Sequence, residues 1–455
     1  MIKMKSDSRE IKPGDTFIAL RGITSDGHDY ILKAIEQGAT RIIAEEGSYS
    51  VETKLVPNTR TYLEQYLLKT YGEILNELNI IGVTGTNGKT TICYLLYQAL
   101  NLSGSKTAYI GTLGYFIEKK ERSLFNTTPD ILEIYNMIVT AYNRGCKNII
   151  IEISSEGIAH RRVEGIKYDW AIFSNLTQDH LNYHKTMENY ALAKQRIFKS
   201  LKSKHRAIIN TDDQYVNYFL LKENNNITYG YNNADYQIID FIFNNTGMEI
   251  TYKYENETRT FKTSLLGSYN VYNLISVVAV LKESGLTYEK IEEIIPKLLP
   301  PSGRMERISY KINNIIIDFA HSPDSLIKFL EVIKDMVKGK IYVVFGCAGE
   351  RDKTKRPIMF DIVTRECDFV IITNEDPRSE DPNDIAADMI KGSTKTNYEV
   401  IHDRKRAIIK GIELLDKDDT LLILGKGHEE TITIGKEIIP YNDRQVVMEY
   451  LESQK

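Results

Sequence analysis

Residues 82–91 are GVTGTNGKTT; the apolar run Asn79–Ile81 precedes them and a helical stretch, Ile92–Leu102, follows. A strand, a glycine-rich turn and a helix beginning with Lys-Thr-Thr are typical of a phosphate-binding loop, because turn N–H groups and the positive end of a helix attract anionic oxygens. Lys89 is predicted to reach a terminal phosphate, and the Thr90 hydroxyl a Mg²⁺ ion. A surface turn is the alternative interpretation, which the flanking strand and helix disfavour.

The glycine spacing of this loop differs from that of a standard P-loop. The residue five positions before Gly88 is Val83, and the preceding glycines are Gly82 and Gly85. The pattern therefore favours a nucleotide-binding protein other than a kinase or a GTPase.

The composition is that of an ordinary soluble globular protein. The chain has 455 residues, 42% hydrophobic and 26% charged, and its length suggests roughly three domains. Because the net charge is −4 without a long basic run, no nucleic-acid partner is expected. The absence of a signal peptide and of any run of about 18 apolar residues predicts a cytoplasmic protein with no membrane partner. The four widely spaced cysteines fit a reducing compartment, and the 29 tyrosines are interpreted as codon bias.

Short apolar runs alternate with helical stretches, which is the pattern of parallel α/β sheets. We predict an α/β fold of three domains, residues 1–58, 59–301 and 302–455, and the Pro-Pro-Ser-Gly segment near residue 301 marks the second boundary. Predicted strands are 16–20, 40–44, 148–153, 170–174, 207–209, 315–318, 341–346, 368–373 and 420–424, with antiparallel strands in 236–263. Predicted helices include 29–37, 271–283 and 288–298. The third domain has the pattern of a doubly wound fold.

Polar side chains follow the predicted strands of the middle domain. Glu152 lies in the run Ile149–Ile153, where a carboxylate at a strand end suits Mg²⁺; a surface ion pair is the alternative. Residues 175–184 contain His180 and an aspartate, a set typical of metal or phosphate binding, although such loops often only hydrogen-bond internally. Thr186 is expected to cap a helix running to about residue 201, on which Lys194 is expected to be partly buried.

Ordered motifs along the whole chain extend this interpretation. They are SDSR (6–9), SDGHDYI (25–31), GTNGKTT (85–91), NTT (126–128), EISS (152–155), NLTQDHLNYH (175–184), YxxAK (190–194), GRME (303–306), DFAHSPD (318–324), VFGCAGERDKTKRP (344–357), EDPRSEDP (375–382) and GKGHE (425–429). Together they resemble the Mur ligases, and among them those that add the third residue of the peptidoglycan stem peptide.

The resemblance implies an ATP-dependent amide ligase of peptidoglycan precursor synthesis, with a small N-terminal α/β UDP-binding domain, a central P-loop-type ATPase domain and a C-terminal Rossmann-like domain that binds the amino acid. ATP phosphorylates the free carboxylate of UDP-N-acetylmuramoyl-L-Ala-D-Glu, and an amino-acid amine attacks the acyl phosphate. It further implies that Lys89, Lys194 and His180 are catalytic. Mg²⁺ would be held by Thr90, Glu152, His180 and a carbamylated Lys194. A monomer is expected.

The resemblance also assigns ligand contacts by position. ATP contacts are implied for Gly85, Thr86, Asn87, Gly88, Lys89, Thr90, Thr91, Asn270, Arg304 and Asp318. Contacts to the UDP-muramoyl substrate are implied for Ser8, Thr127, Thr128, Ser154 and Arg162. The incoming amino acid would meet Arg351, Glu375, Asp376, Arg378, Gly425 and Glu429.

Two departures from the family pattern concern the substrate rather than the ATP machinery. Glu156 replaces a usual histidine, and Glu375-Asp376-Pro377-Arg378 replaces the Asp-Asn-Pro-Arg common in members that add meso-diaminopimelate. We favour meso-diaminopimelate, because Arg378 suits its distal carboxylate and Glu429 its distal ammonium. L-Lysine remains the alternative, since Glu375 and Asp376 would partly neutralise Arg378. A paralogous Mur-type ligase, a folylpolyglutamate synthase-like ligase and a non-catalytic binding protein are the other hypotheses.

Overall fold

The computed structural model describes residues 3–22, 25–179, 181–244, 247–311 and 313–454. The chain divides into two compact units. Unit 1 comprises 1–239, 251–259 and 272–295, and unit 2 comprises 240–250, 260–271 and 296–455. In the described part of the chain, no helix is long and apolar enough to cross a membrane. The predicted domain boundaries at residues 58 and 301 remain predictions.

Unit 1 begins with a small parallel sheet. Its elements are β1 (Met4–Lys5), β2 (Thr16–Ile18), α1 (Ile31–Glu36), β3 (Arg41–Ala44) and β4 (Glu52–Leu55), with 3₁₀ turns at Ser8–Glu10 and Gly27–Tyr30. The strand order is β1-β2-β3-β4, and every pair is parallel. Both strands and the helix predicted for this segment are present, although the helix predicted from residue 29 begins only at Ile31 after the second 3₁₀ turn.

The second sheet contains the phosphate loop. Its elements are α2 (Thr59–Glu77), β5 (Asn79–Thr84), α3 (Lys89–Leu102), β6 (Thr107–Gly111), β7 (Gly114–Ile117), β8 (Lys119–Arg122), α4 (Ile131–Asn143), β9 (Asn148–Glu152), α5 (Ser155–Ala159), β10 (Tyr168–Phe173), α6 (Leu181–His184), α7 (Met187–Gln195), β11 (Leu201–Asn210) and β12 (Asn225–Gly230). Short 3₁₀ turns occur at Phe198–Ser200 and Val216–Tyr218. The elements β13 (Tyr236–Asn244), β14 (Gly247–Tyr254), β15 (Glu257–Thr263), α8 (Ser268–Glu283) and α9 (Tyr288–Ile294) follow, and the segment 236–271 is divided between the units.

The strand order explains where the site forms. The order is β15-β14-β13-β12-β11-β10-β5-β9-β6-β7-β8, so β5 lies between β10 and β9 and is parallel to both. Val83 pairs with Glu152, and Thr84 with Phe173, so the loops after the three strands meet at one edge of the sheet. Buried isoleucines of β5 and β9 form much of the core here, and each fully buried one contributes about 2 kcal/mol to stability.

Two predicted helices of the middle domain end earlier than expected. Thr186 caps α7 as predicted, accepting a hydrogen bond from the Asn189 N–H at 3.1 Å, but α7 ends at Gln195 rather than near residue 201. The helix expected to reach residue 298 ends at Ile294 and continues as a 3₁₀ turn, Ile295–Lys297. Pro296 causes this change, because it has no N–H to donate to the α-helical ladder.

The sheet of unit 2 is doubly wound, as predicted. Its elements are β16 (Glu306–Tyr310), β17 (Asn313–Asp318), α10 (Pro323–Met336), β18 (Ile341–Phe345), α11 (Lys355–Glu366), β19 (Phe369–Ile372), α12 (Pro382–Ile390), β20 (Tyr398–Val400), α13 (Arg404–Glu413), β21 (Thr420–Leu424), β22 (Thr431–Ile434), β23 (Glu437–Pro440) and α14 (Asp443–Ser453). The order is β16-β17-β21-β18-β19-β20, and only β16 is antiparallel to its neighbour. Ile316 packs with α10–α12, whereas Ile315 and Ile317 pack with α13 and α14. Helices therefore cover both faces.

Candidate active site

The phosphate loop joins the end of β5 to the start of α3. Gly88 stands at the N-terminal cap of α3 with a φ of 86°, and Gly85 has a φ of 148°. A Cβ atom on Gly85 would lie 1.9 Å from Ser174 Oγ and 3.0 Å from the backbone carbonyl oxygen of Asn175. The backbone of the loop is therefore held against the neighbouring segment in a conformation that excludes a side chain at this position.

The segment after β10 supports the phosphate loop. The Thr86 N–H donates to the Asn175 carbonyl at 2.8 Å, and the Asn87 N–H donates to Asn175 Oδ1 at 2.9 Å. Thr86 Oγ1 donates to the Thr177 carbonyl at 3.1 Å. The first residues of the predicted metal or phosphate segment thus position the loop through hydrogen bonds. His180, predicted as a metal ligand and catalytic residue, lies outside the described residues.

Two lysines converge on Gly85. Lys89 Nζ donates to the Gly85 carbonyl at 3.0 Å and to the Thr86 carbonyl at 2.7 Å. Lys194 Nζ donates to the same Gly85 carbonyl at 2.7 Å and lies 4.5 Å from the centre of the Tyr190 ring. Lys194 is 1% exposed, so the expectation of partial burial was wrong: α7 places it inward against the loop. Burial, and then the charge of Lys89, hold the pKa of Lys194 well below its usual range.

Glu152 is fully buried at the end of β9, which excludes the alternative of a surface ion pair. Thr90 Oγ1 donates to its Oε2 at 3.0 Å, and Thr112 Oγ1 donates to the same oxygen at 2.9 Å. Its Oε1 accepts from the Thr112 N–H at 3.2 Å and from the Tyr109 hydroxyl. Burial raises the pKa of Tyr109 well above its usual range, so this phenol remains a donor at neutral pH. Four donors therefore orient the carboxylate.

The oxygen atoms around Glu152 provide some of the ligands that a hard divalent cation needs. The Thr90 hydroxyl and the Glu152 carboxylate supply two adjacent oxygens next to the phosphate loop, which are ligands suited to Mg²⁺. Among the described residues, no group of three or more His, Cys, Asp or Glu side chains is arranged to hold a metal. The unmodified Lys194 side chain donates to the Gly85 carbonyl and has no oxygen atom with which to bind Mg²⁺.

Four of the five predicted substrate residues form one network beside Glu152. Thr128 Oγ1 donates to the Glu152 carbonyl at 2.9 Å and accepts from the Ser154 N–H at 2.9 Å. Arg162 donates to the Thr128 carbonyl at 3.0 Å, and the hydroxyls of Thr127 and Thr112 are 3.0 Å apart. Ser8 is buried in the first 3₁₀ turn, and no hydrogen bond between described residues joins it to this network.

The nucleotide residues predicted in unit 2 lie near the start of its sheet. Asp318, at the carboxyl end of β17, accepts from the N–H groups of Met305 and Ala320 at 2.7 and 2.8 Å, and burial raises its pKa. The Arg304 guanidinium lies 4.8 Å from the centre of the Phe319 ring. The buried Arg304 Nε has no hydrogen-bond partner in the described chain. Asn270, also in unit 2, donates to the Leu266 carbonyl at 2.6 Å.

The predicted amino-acid site in unit 2 centres on an ion-pair cluster. Lys426, between Gly425 and Glu429 in sequence, is fully buried; its Nζ lies 3.0 Å from Asp376 Oδ1 and 2.6 Å from Glu429 Oε2. Burial raises the pKa of Glu375 to about 7, against the opposing effect of Arg404 and Lys426. A Cβ atom on Gly425 would lie 3.0 Å from Glu375 Oε2, so the glycine leaves room for that carboxyl group.

Arg378 is half-buried and has a left-handed φ of 52°. Its N–H donates to the Thr433 carbonyl at 3.0 Å, and its carbonyl accepts from Gly435 at 2.7 Å. No acidic side chain of the described chain pairs with its guanidinium, nor with that of the exposed Arg351. Among the described residues, neither Glu375 nor Asp376 forms an ion pair with Arg378, and Asp376 pairs with Lys426 instead.

Sequence reasoning missed three residues of these sites. Tyr109 and Thr112 orient Glu152, yet the abundance of tyrosine concealed the first, and nothing in the sequence around the second indicated a role. Lys426 was quoted in the GKGHE motif without a function. Its partner Asp376 lies 50 residues away, so no local spacing revealed the pair.

Together, the fold and the site define a nucleotide-dependent α/β enzyme with a phosphate loop, a buried lysine and an oriented carboxylate. Comparison with known proteins identifies the family. Residues 3–67 match the model of the Mur ligase family catalytic domain, 83–281 that of the Mur ligase middle domain, and 303–427 that of the Mur ligase glutamate ligase domain. The chain belongs to the Mur ligase family, whose members form amide bonds at the expense of ATP.

Individual relatives cover nearly the whole chain. UDP-N-acetylmuramoyl-L-alanyl-D-glutamate--2,6-diaminopimelate ligase of Bacillus cereus is 37% identical over 98% of this chain and 93% of its own. Ligase 1 of the same name in Clostridium acetobutylicum is 37% identical over 98% and 94%. A solved structure of such a ligase is 32% identical with a TM-score of 0.71, covering 100% of this chain and 95% of that one. The MurF ligase of Thermotoga maritima in complex with ADP, 20% identical, has a TM-score of 0.70 over 99% and 98%, and supports the fold.

Proposed function

We propose that this enzyme joins meso-diaminopimelate to UDP-N-acetylmuramoyl-L-Ala-D-Glu with ATP. The names of the relatives support the reaction, and the environment of Arg378 supports the amino acid. Its half-buried guanidinium has no acidic partner in the described chain, whereas the neighbouring Asp376 is paired with Lys426. A planar guanidinium of this kind suits a distal carboxylate, which diaminopimelate has and L-lysine lacks.

The residues of unit 1 fit phosphoryl transfer from ATP to the substrate carboxylate. The N–H groups of the phosphate loop and the N-terminus of α3 would bind the phosphates. Lys89, which now donates to two loop carbonyls, would turn to the transferring phosphoryl group and stabilise its charge. Mg²⁺ held by Thr90 and Glu152 would neutralise phosphate oxygens. The amine of the amino acid would then attack the acyl carbon, and phosphate and a proton would leave as the amide forms.

Lys194 is suited to carbamylation. Its depressed pKa favours the neutral amine, which can attack CO₂; the N–C bond forms and one proton leaves to solvent. The product is an anion in place of a cation, next to the Gly85 carbonyl that the ammonium now contacts. The carbamate would add a further anionic oxygen to the two that Thr90 and Glu152 supply.

The location and assembly state belong to the same proposal. We place the enzyme in the cytoplasm, where ATP is supplied and where its four free cysteines remain reduced. We also propose that it acts as a monomer.

The amino-acid specificity decides the proposal. The purified enzyme should release ADP and phosphate only when the UDP-muramoyl dipeptide and an amino acid are both present, with meso-diaminopimelate preferred over L-lysine and L-ornithine. Arg378→Ala should raise the KM for diaminopimelate by about 10- to 100-fold, the loss expected for a charge-assisted contact. A wild-type preference for L-lysine, or an Arg378→Ala variant with unchanged kinetics, would refute it.

A further inference from the structure

Lys426 occupies the position at which a substrate ammonium was expected. Its Nζ lies 2.6 Å from Glu429 Oε2 and 3.0 Å from Asp376 Oδ1 while its side chain is fully buried. Asp376 Oδ1 also accepts from the Thr433 N–H at 2.8 Å. The enzyme thus supplies its own ammonium to Asp376 of the loop that carries Arg378 and to Glu429 of the GKGHE motif.

We infer that Lys426 is a specificity-determining residue which, through Asp376 and Glu429, makes the enzyme reject amino acids whose side chain ends in a lone ammonium. This inference rests on the proposed function. Lys426 does not touch the substrate in this account. It is a positioning residue that neutralises part of the negative charge of Asp376 and Glu429, which the substrate would otherwise meet. In the same account, the distal ammonium of diaminopimelate meets Glu429 Oε1, to which no described residue donates.

The charge balance of these side chains explains the discrimination. Lys426 and Arg378 bring two positive charges, and Asp376 and Glu429 bring two negative ones. A distal group with both an ammonium and a carboxylate leaves this balance unchanged. The side chain of L-lysine adds one uncompensated positive charge beside two fixed cations, and such like-charge repulsion is an effective means of excluding a competitor.

The neighbouring Glu375 does not upset this balance. Burial raises its pKa to about 7, so a large share of its carboxyl groups is neutral at physiological pH. The buried Arg404 pairs with Asp443 at 2.7 Å, and its charge is therefore already compensated within the fold. The balance near Arg378 accordingly depends on Lys426.

The test is a gain of function. Lys426→Met keeps the length and apolar part of the side chain and removes the charge. Arg378, Asp376 and Glu429 then carry one net negative charge, which the ammonium of L-lysine can neutralise. The kcat/KM for L-lysine should rise about tenfold or more, mainly through a lower KM, as expected when a like-charge repulsion is removed. The kcat/KM for meso-diaminopimelate should fall. A lysine that only stabilised the fold would lower both values.

Two further variants complete the design. The double variant Lys426→Met, Glu429→Gln removes one of the two carboxylates that lose their partner when Lys426 is replaced. It should therefore be more stable than the single variant, and, with the charge balance restored, it should again reject L-lysine. Lys405→Met removes an exposed lysine paired with Glu449 and should change neither substrate. If wild type prefers diaminopimelate but Lys426→Met leaves the use of L-lysine unchanged, this inference alone is wrong. If wild type prefers L-lysine, the proposed function fails as well.

Discussion

Lys194 and Lys89 donate to one acceptor, the carbonyl oxygen of Gly85, at 2.7 and 3.0 Å. Two ammonium groups at a single carbonyl repel each other, and burial together with the charge of Lys89 lowers the pKa of Lys194. Converting its amine to a carbamate would replace this repulsion by an attraction to Lys89. The same contact therefore links the phosphate loop to the lysine of α7.

Lys194→Ala is expected to lower kcat by roughly 100-fold or more, because it removes a group that interacts with charge in the transition state. Bicarbonate or short carboxylates should restore part of the activity, whereas Lys199→Ala, an exposed change nearby, should have little effect. In ¹³C-bicarbonate, wild type should show a carbamate resonance that the alanine variant lacks. A fully active Lys194→Ala variant would contradict the carbamylation proposal.

Lys89→Met should lower kcat by about 100- to 1000-fold, since the transferring phosphoryl group would lose stabilisation by the Lys89 charge. ADP binding, measured by calorimetry, should weaken much less, because the loop N–H groups remain. Lys106→Met removes a lysine from the peripheral Lys106–Glu118 ion pair in the same unit and is the matched control. A large loss in ADP affinity with an unchanged kcat at saturating ATP would show that Lys89 serves binding alone.

Tyr109→Phe should raise the Mg²⁺ concentration needed for half-maximal activity by roughly 10- to 100-fold, because Glu152 loses a partner that orients it. Manganese binding, followed by electron paramagnetic resonance, should weaken in parallel without any turnover. Tyr97→Phe changes a second tyrosine that contacts Phe116, and the described chain shows no hydrogen bond from its hydroxyl to Glu152. A metal requirement that is the same in both variants would rule out the role of Tyr109.

Glu375 and Glu380 should have opposite effects on stability as pH changes. The pKa of Glu375 is raised to about 7, so the folded state binds more protons than the unfolded state between pH 4.5 and 7, and stability falls as pH rises. Glu375→Gln should therefore gain up to about 3 kcal/mol over wild type between pH 5 and 8. Arg356 lowers the pKa of Glu380 to about 2.

Glu380 thus stabilises the folded state above pH 4.5, and this contribution disappears as pH falls toward 2. Glu380→Gln should be less stable than wild type at pH 7, and the difference should shrink in acid. Melting temperatures of the three proteins across pH 3–8 check both signs. If the melting temperature of each variant differs from that of wild type by the same amount at every pH, neither carboxyl group has the environment described.

The sequence was sufficient where a motif is local. The phosphate loop, the strand-end Glu152 and the cap at Thr186 depend on neighbouring residues, and each was found as predicted. The network around Glu152 was not predictable in detail, because Tyr109 and Thr112 reach it across strands, 43 and 40 residues away in sequence. Lys426 shows the same limit: lysine is usually exposed, and only the folded chain reveals that this one is buried between two acids.

The main chain at Arg378 has a consequence for how such enzymes diversify. Both backbone groups of this residue are bonded to the β22–β23 hairpin, so the path of the loop does not depend on the guanidinium. Its left-handed φ costs an arginine roughly 1 kcal/mol, which glycine would avoid and asparagine would reduce. Replacement by glycine or asparagine therefore relieves the backbone while it removes the charge. The side chain at this position can therefore change while the two backbone hydrogen bonds that hold the loop to the hairpin stay in place.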